Sequence, residues 1–429
     1  MKIGYIIKAE RLKLGMKQIV LAKGICTPSY LSRIEQNQIK ASNEVISLLL
    51  ERLGIQVEDF VDSHSVDDKA LENTIMTVYK EAVIERNLRK AQEKLHELEQ
   101  SIEFVGDSDV YFTFRLVAIR LRLIAGEDLM AIEKELVQLE CQLAAFSQRQ
   151  QFTFLINAGI LSYKRNNVKE AIISFEHAID MNLWLGDWEQ ADMNYMMALS
   201  YVADDRMAMA IDYIELALEY FQDKLQVRRI LDCYLLKGIF YKRKNKFNDA
   251  EKCYMEALAV CENFHLTDRL GSVYHNLGAL YLSAGRRQEG IDTLLTCFQS
   301  NTGLKSKVTT ALALVAEYSK SKDVPQVIRW CSKGLELCLA SPNEGTEPFY
   351  HHFTFYMSIH DKHGISEKVA KQTVMYFTSL RDYRNAQKYS ISFAEEAYKR
   401  SQYKLASYYF AEANKYSYLN NDIKSWEDL

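Results

Sequence analysis

The stretch GIFYKRKNKFNDAEKCYMEA, residues 238–257, sets small and large side chains at fixed places: Gly238, Tyr241, Ala250, Tyr254 and Ala257. The same order recurs on both sides of it. The leading small residue is Gly159, Ala198, Gly238 and then Gly278, at spacings of 39, 40 and 40. Three residues on stand Ser162, Tyr201, Tyr241 and Tyr281, and twelve on stand Ala171, Ala210, Ala250 and Gly290. Sixteen on come Phe175, Ile214, Tyr254 and Leu294, and nineteen on come Ala178, Ala217, Ala257 and Cys297. Small residues at fixed offsets let two helices of a hairpin approach, and the large ones fill the gaps between hairpins.

This order resembles the tetratricopeptide repeat, although a unit of about forty residues exceeds the usual thirty-four or so. Weaker copies flank the four clear ones. Leu71–Leu98 reads as one hairpin, and Phe112–Ala125 with Leu129–Leu143 as another. Later copies lie near Tyr318 and Val327, Ser358 and Ala370, and Ala394 with Ala406, Phe410 and Ala413. Eight or nine hairpins would fill the chain. The expected fold is all-α, with residues 71–429 as a right-handed tetratricopeptide superhelix serving peptide binding and oligomerisation. One long loop is expected at Ala340–Phe349, which holds Pro342, Gly345 and Pro348.

Composition agrees with helices. The 429 residues include 4 prolines and 17 glycines, the two residues a helix interior tolerates least. A hydrophobic share of 48% supplies a substantial core and excludes wholesale disorder. Eight cysteines form no Cys-x-x-Cys pair and sit mostly among apolar helical residues, so they read as reduced, small hydrophobes in a cytoplasmic protein. The opening MKIGYIIKAERLK lacks the apolar core of a signal peptide. No run approaches the roughly 20 apolar residues of a membrane span.

The formal charge is -4, but it is unevenly spread. Residues 1–40 carry eight Lys or Arg against Glu10 and Glu35, a net of +6. A basic head on an acidic body suits phosphate contact by the head alone. Three to five short helices are expected there. Ile3, Ile6, Ile7 and Leu14 make one stripe ending at Gly15, and a second helix from Gln18 buries Val20, Leu21 and Ile25. Thr27 caps a third, with Pro28 at its first position, where a missing N–H does no harm. Two more around Asn43–Leu53 close the bundle.

Gln18-x-x-Leu21-Ala22, then SYLSRIEQN at 29–37, then Leu48-Leu49-x-x-x-Leu53-Gly54-Ile55 resemble the Cro/C1-type (XRE) repressor family across the whole head. One departure is Ala41-Ser42, where that family usually has Pro-Ser. The resemblance implies a helix-turn-helix domain at 1–60 whose third helix enters the major groove. Thr27, Ser29, Tyr30, Ser32 and Arg33 would then face bases and phosphates, and Gln18 would meet a phosphate at a helix N-terminus. Arg11 and Glu35 would form an internal ion pair. The acidic stretch VEDFVDSHSVDDK, residues 57–69, marks the join, taken as a linker at 61–70.

In the body, four residues lie six before the small marker: Thr153, Asp192, Asp232 and Ser272. All are polar, which a core position would not be four times over, so they are expected on a concave wall. Asn157 and Asn276 lie two before the marker, and Tyr195, Leu235 and His275 lie three before it. Lys242 and Arg243 share that side. An inward Asn has both a donor and an acceptor and can clamp a peptide backbone. Arg115 and Arg122, seven apart on one helical face with Arg120 offset, are candidate carboxylate clamps. A capping or solvated role is the plain alternative for each. Truncation of Asn157 or Asn276 is expected to weaken peptide binding without lowering the melting temperature.

The two-part build resembles the RRNPP family of Gram-positive peptide-pheromone receptors, and within it the NprR branch. The resemblance implies double-stranded operator DNA and a short, imported signalling peptide as partners. It further implies a homodimer or higher homo-oligomer, and a phosphorelay response regulator as a partner in sporulation control. A phage or plasmid regulator of the same build, including the arbitrium type, and a scaffold docking a protein partner are the alternatives. No Gly-rich phosphate loop, catalytic carboxylate pair or nucleophile elbow is visible, so the reading is of a non-enzyme without cofactor. His360 and His363 share a helical face, beside His351 and His352, but no carboxylate or Cys completes a metal set, and none is assigned.

Overall fold

The computed structural model describes residues 3–55, 68–101, 107–300, 303–342, 345–360 and 364–421. Most of the expected join, at 57–67, lies outside the described residues, as do His363 and residues 343–344 of the expected loop. Among the described residues there are 22 α-helices and no strand. They gather into two compact units, Met1–Arg229 and Ile230–Leu429.

The head holds α1 (Ile3–Lys13), α2 (Gln18–Ala22), α3 (Pro28–Glu35) and α4 (Asn43–Arg52). Thr27 Oγ1 accepts the Tyr30 N–H at 3.2 Å, with Pro28 opening α3. Ser42 Oγ accepts the Val45 N–H at 3.4 Å, so the departure at Ala41-Ser42 still caps α4. Ile6, Ile7, Leu21, Leu31, Leu49 and Leu50 are fully buried. A Cβ on Gly4 would lie 1.8 Å from the Ile34 carbonyl oxygen, so α1 and α3 cross where only glycine fits. Three expectations are corrected. Leu14 and Val20 are exposed, because α2 spans only five residues and turns Leu21 and Ala22 inward instead. Ile25 is only half-buried. One helix, not two, covers 43–52.

Among the described residues nine hairpins follow. In the first unit they are α5 (Asp68–Glu85) with α6 (Leu88–Ser101), α7 (Ser108–Ala125) with α8 (Leu129–Glu140), α9 (Gln148–Lys164) with α10 (Val168–Asp180), and α11 (Asp187–Ala203) with α12 (Met207–Asp223). The next helix, α13 (Val227–Arg243), pairs with α14 (Phe247–Asn263). The second unit continues with α15 (Thr267–Ser283) and α16 (Arg287–Gln299), then α17 (Leu304–Lys320) and α18 (Val324–Ala340). It ends with α19 (Glu347–Ile359) and α20 (Glu367–Ser379), then α21 (Tyr383–Lys399) and α22 (Tyr403–Asn421).

The repeat markers do what their sizes dictate. Gly159 faces the Phe175 ring, where an added Cβ would sit 2.5 Å away, and Gly238 faces Tyr254 at 2.2 Å. Gly278 meets Leu294 in the same way at 2.8 Å. Each is the small residue at the marker against the large one sixteen on. Ala171, Ala210 and Ala250 are completely buried between the helices of their hairpins. Close-packed interiors tolerate no spare methyl at such a contact.

Candidate functional site

The reading face of α3 is open. Thr27, Ser29 and Arg33 are exposed, and Tyr30 and Ser32 are half-buried beside them. Leu31, Ile34 and Glu35 point into the head. The expected ion pair is present: Arg11 Nε donates to Glu35 Oε1 at 2.6 Å and Nη2 to Oε2 at 2.9 Å. Gln18 is corrected. Its amide donates to Glu35 Oε2 at 2.7 Å, because a buried carboxylate has more lone pairs than the two Arg11 bonds fill. The residue closes an internal cluster rather than pointing to a phosphate.

The body residues divide more sharply. Asp192 is buried and holds two cations: Arg120 Nη2 reaches its Oδ2 at 2.5 Å and Arg229 Nη2 its Oδ1 at 2.8 Å. Arg229 is fully buried, and its guanidinium lies 4.5 Å from the Tyr195 ring centre and 4.7 Å from that of Phe221. Asp232 holds Arg269 in the same manner, and Glu189 holds Arg149. So the wall positions Asp192 and Asp232 are not waiting for a ligand's amine. Each ties its hairpin to the next through an arginine 37 residues on. Thr153 Oγ1 donates to the Arg149 carbonyl at 3.0 Å, within its own helix.

Arg115 and Arg122 are likewise committed, and the clamp reading is corrected for both. Arg115 Nε donates to Glu135 at 2.8 Å and Nη1 to the Tyr111 hydroxyl at 2.6 Å. Arg122 binds Glu135 at 2.6 Å and Glu99 at 2.8 Å. The acid-bearing face of α8 packs opposite these arginines and neutralises them. Asn157 is completely buried, and its amide donates to the Leu116 carbonyl at 2.8 Å, while its Oδ1 has no partner among the described residues. Its truncation would strand that carbonyl, so an unchanged melting temperature is no longer expected.

A second group stays accessible in the second unit. Ser272, His275, Asn276 and Lys242 are half-buried and Arg243 is exposed, whereas Leu235 belongs to the core with Tyr254 and Leu277. Asn276 donates to the Ser272 carbonyl at 2.8 Å, within its own helix. Burial, and then the neighbouring Lys242 charge, push the His275 imidazole down to about 4. Burial and Arg243 lower the Lys242 ammonium too.

Sequence reasoning missed Arg229, Arg269, Glu189 and Arg149 and set Arg120 aside. A signal existed: Glu189, Arg229 and Arg269 all lie nine residues before a marker, in step with the repeat. Among the other histidines, His351 stacks on Tyr376 at 4.1 Å, and His352 Nδ1 bonds the Tyr389 hydroxyl. A cavity of about 320 Å³ between α5, α7 and α9 is lined by Thr153, Arg149 and Gln150. A larger one, about 930 Å³, lies between α20 and α22 among Tyr403, Tyr408 and Tyr416, and holds none of the expected peptide contacts.

An exposed third helix on a small bundle, joined in one chain to stacked helical hairpins, defines a helix-turn-helix protein with a tetratricopeptide-type repeat array. Comparison with known proteins agrees. A helix-turn-helix family model matches residues 7–60, and a tetratricopeptide-repeat model matches residues 231–264. The transcriptional activator NprA of Geobacillus stearothermophilus is 28% identical over 417 residues, spanning 94% of this chain and 100% of that protein. Two solved structures share the fold. A Rap protein complexed with competence and sporulation factor has a TM-score of 0.66 at 15% identity, covering 82% of this chain and 99% of its own. The apo form of the quorum sensor NprR from B. thuringiensis has a TM-score of 0.57 at 20% identity, covering 84% and 99%. The chain is thus similar to NprA over nearly its whole length and shares its fold with NprR and the Rap protein. Among the described residues no helix is long and apolar enough to cross a membrane.

Proposed function

We propose that this protein is a quorum-sensing transcription regulator, binding operator DNA through α3 and switched by a short linear peptide on the concave side of its repeats. The observation that carries the reading is the open face of Thr27, Ser29 and Arg33 in a stretch, residues 1–40, of net charge +6. A basic, unobstructed helix of a helix-turn-helix bundle is built for the major groove. Full-length similarity to a transcriptional activator supports it. Likeness in fold to NprR in complex with its cognate peptide NprX supports the peptide half (TM-score 0.56).

Within that reading the peptide's contacts shift toward the second unit. Lys242, Ser272, His275 and Asn276 are half-buried and Arg243 is exposed, whereas Asp192, Asp232, Arg115 and Arg122 are engaged in ion pairs within the protein. A second copy of the chain completes the reading, because paired half-sites take paired heads.

Two binding measurements test it. Arg33→Ala should weaken binding to a selected operator by about ten- to a hundredfold, the usual worth of a base contact, while the body melts as before. Unchanged operator affinity would remove α3 as the reading helix. One member of a pool of synthetic short peptides should raise the melting temperature by mass action, and Asn276→Ala should blunt that rise. If no linear peptide does so, the repeats serve as a protein-docking scaffold instead.

A further inference from the structure

The head is held against the first hairpins of its own unit by polar contacts. Arg115 Nη1 donates to the Tyr111 hydroxyl at 2.6 Å, and that hydroxyl donates to Glu10 Oε1 on α1, also at 2.6 Å. The Arg115 guanidinium also lies 3.6 Å from the same carboxylate oxygen. Two further bonds fasten α1 to α8 and its C-cap: Lys8 Nζ donates to the Cys141 carbonyl, and Gln138 Nε2 to the Leu12 carbonyl, each at 3.1 Å. Tyr111 and Arg115 are buried, so these charge-assisted bonds are shielded from water.

The same helix, α7, is fastened on its other side to the repeat wall. Its Leu116 carbonyl accepts from Asn157 of α9, and its Arg120 reaches Asp192 of α11, which in turn holds Arg229. Tyr111 and Arg115 are four apart, as are Leu116 and Arg120, so two i,i+4 pairs share one rod. Two buried polar atoms on the wall side have no partner among the described residues, Asn157 Oδ1 and Arg120 Nε.

We infer that α7 is the transmission element of this protein: Glu10, Tyr111 and Arg115 lock the head to it, and Asn157 and Asp192 lock it to the wall. A change at the wall then re-aims the reading helix without touching the head. Which ligand makes that change rests on the function proposed above. The mechanical coupling does not. Coupling of this kind needs a rigid element that both sites bias, and here the element has named contacts at both sides.

The test uses the full chain with Cys26 and Cys141 changed to Ser, a fluorophore on Ser29→Cys, and time-resolved anisotropy without peptide or DNA. In the parent the head should tumble with its unit. Tyr111→Phe keeps the ring and removes the hydroxyl; with Glu10→Gln it should add a nanosecond component to the decay. Asp192→Asn and Arg120→Lys, which touch no head residue, should alter the decay in the same direction. Asp232→Asn, a matching ion pair that does not involve α7, should leave it unchanged. An unaltered decay in the Tyr111 and Glu10 variants overturns the lock. An unaltered decay in both wall variants, with helicity intact by circular dichroism, overturns the transmission. Because neither readout contains a ligand, a failed peptide reading would leave these outcomes legible.

Discussion

Residues 1–229 and 230–429 build the same hairpin and bind it to its neighbours with different materials. In the first unit, the contact between successive hairpins runs through ions: Arg120, Asp192 and Arg229 form a buried cluster with one more cation than anion. In the second, rings do much of that work. Phe355 and Tyr389 lie 4.4 Å apart, and Gly334 gives way to the Phe353 ring. Apolar contacts are forgiving in direction, whereas a buried ion pair is stable only with its partner in place. The first unit is thus the more specifically locked, and it is the one that carries the head.

The largest expected effect breaks the ionic side of this contrast. Asp192→Ala leaves Arg120 and Arg229 buried without an anion and should destabilise the first unit by about 3–5 kcal/mol. Denaturant titration followed by tryptophan fluorescence measures it, since Trp184 and Trp188 report on that unit. Asp232→Ala should lose only about 1 kcal/mol, because Arg269 keeps access to water. Equal losses would mean that burial does not set the difference.

The apolar side breaks at a glycine. Gly238→Ala places a methyl against the Tyr254 ring and should lose about 1–3 kcal/mol by overpacking. A loss below a few tenths would show that the ring can swing away.

Acid tests the second unit next. Burial holds His352 down to about 3 and His275 to about 4, against 6.5 when exposed. Both stay neutral in the fold while the unfolded chain takes up protons below about 6.5. Stability from these groups is therefore complete above that pH and declines as pH falls toward 4 and then 3. From pH 7 to 5 the second unit should lose about 2 kcal/mol for each, and His275→Gln should flatten the slope. A pH-independent unfolding midpoint in that range would contradict it.

The smallest effect sharpens the comparison at a turn. Leu225 is exposed with φ +50°, a left-handed backbone that suits Gly or Asn. Leu225→Gly should raise the stability of the first unit by about 0.5–1 kcal/mol, seen as a small upward shift in melting temperature.

The repeat was legible because size is written in each residue: a glycine sixteen places before an aromatic needs no neighbour to be recognised. The head's cap at Thr27 was legible in its own residues, whereas the ion pair Arg11–Glu35 was implied by the family resemblance. Polar residues were harder. A polar wall position can face a ligand or the next hairpin, and Asp192 and Asp232 took the second course. Only reading two registers together, six and nine before the marker, distinguishes these. Gln18 failed for a related reason, since Glu35 had more acceptor capacity than Arg11 alone could meet.

The ion pairs Asp192–Arg229 and Asp232–Arg269 both reach forward 37 positions, three short of the repeat. Each pair therefore travels with the unit that contains it. Duplicating or deleting one whole unit of forty residues, such as 193–232, would leave Asp192 facing the former partner of Asp232, with no stranded charge. An insertion of a few residues inside a unit would strand two. An array built this way can change its length over generations only in whole steps, as a chain does by the link.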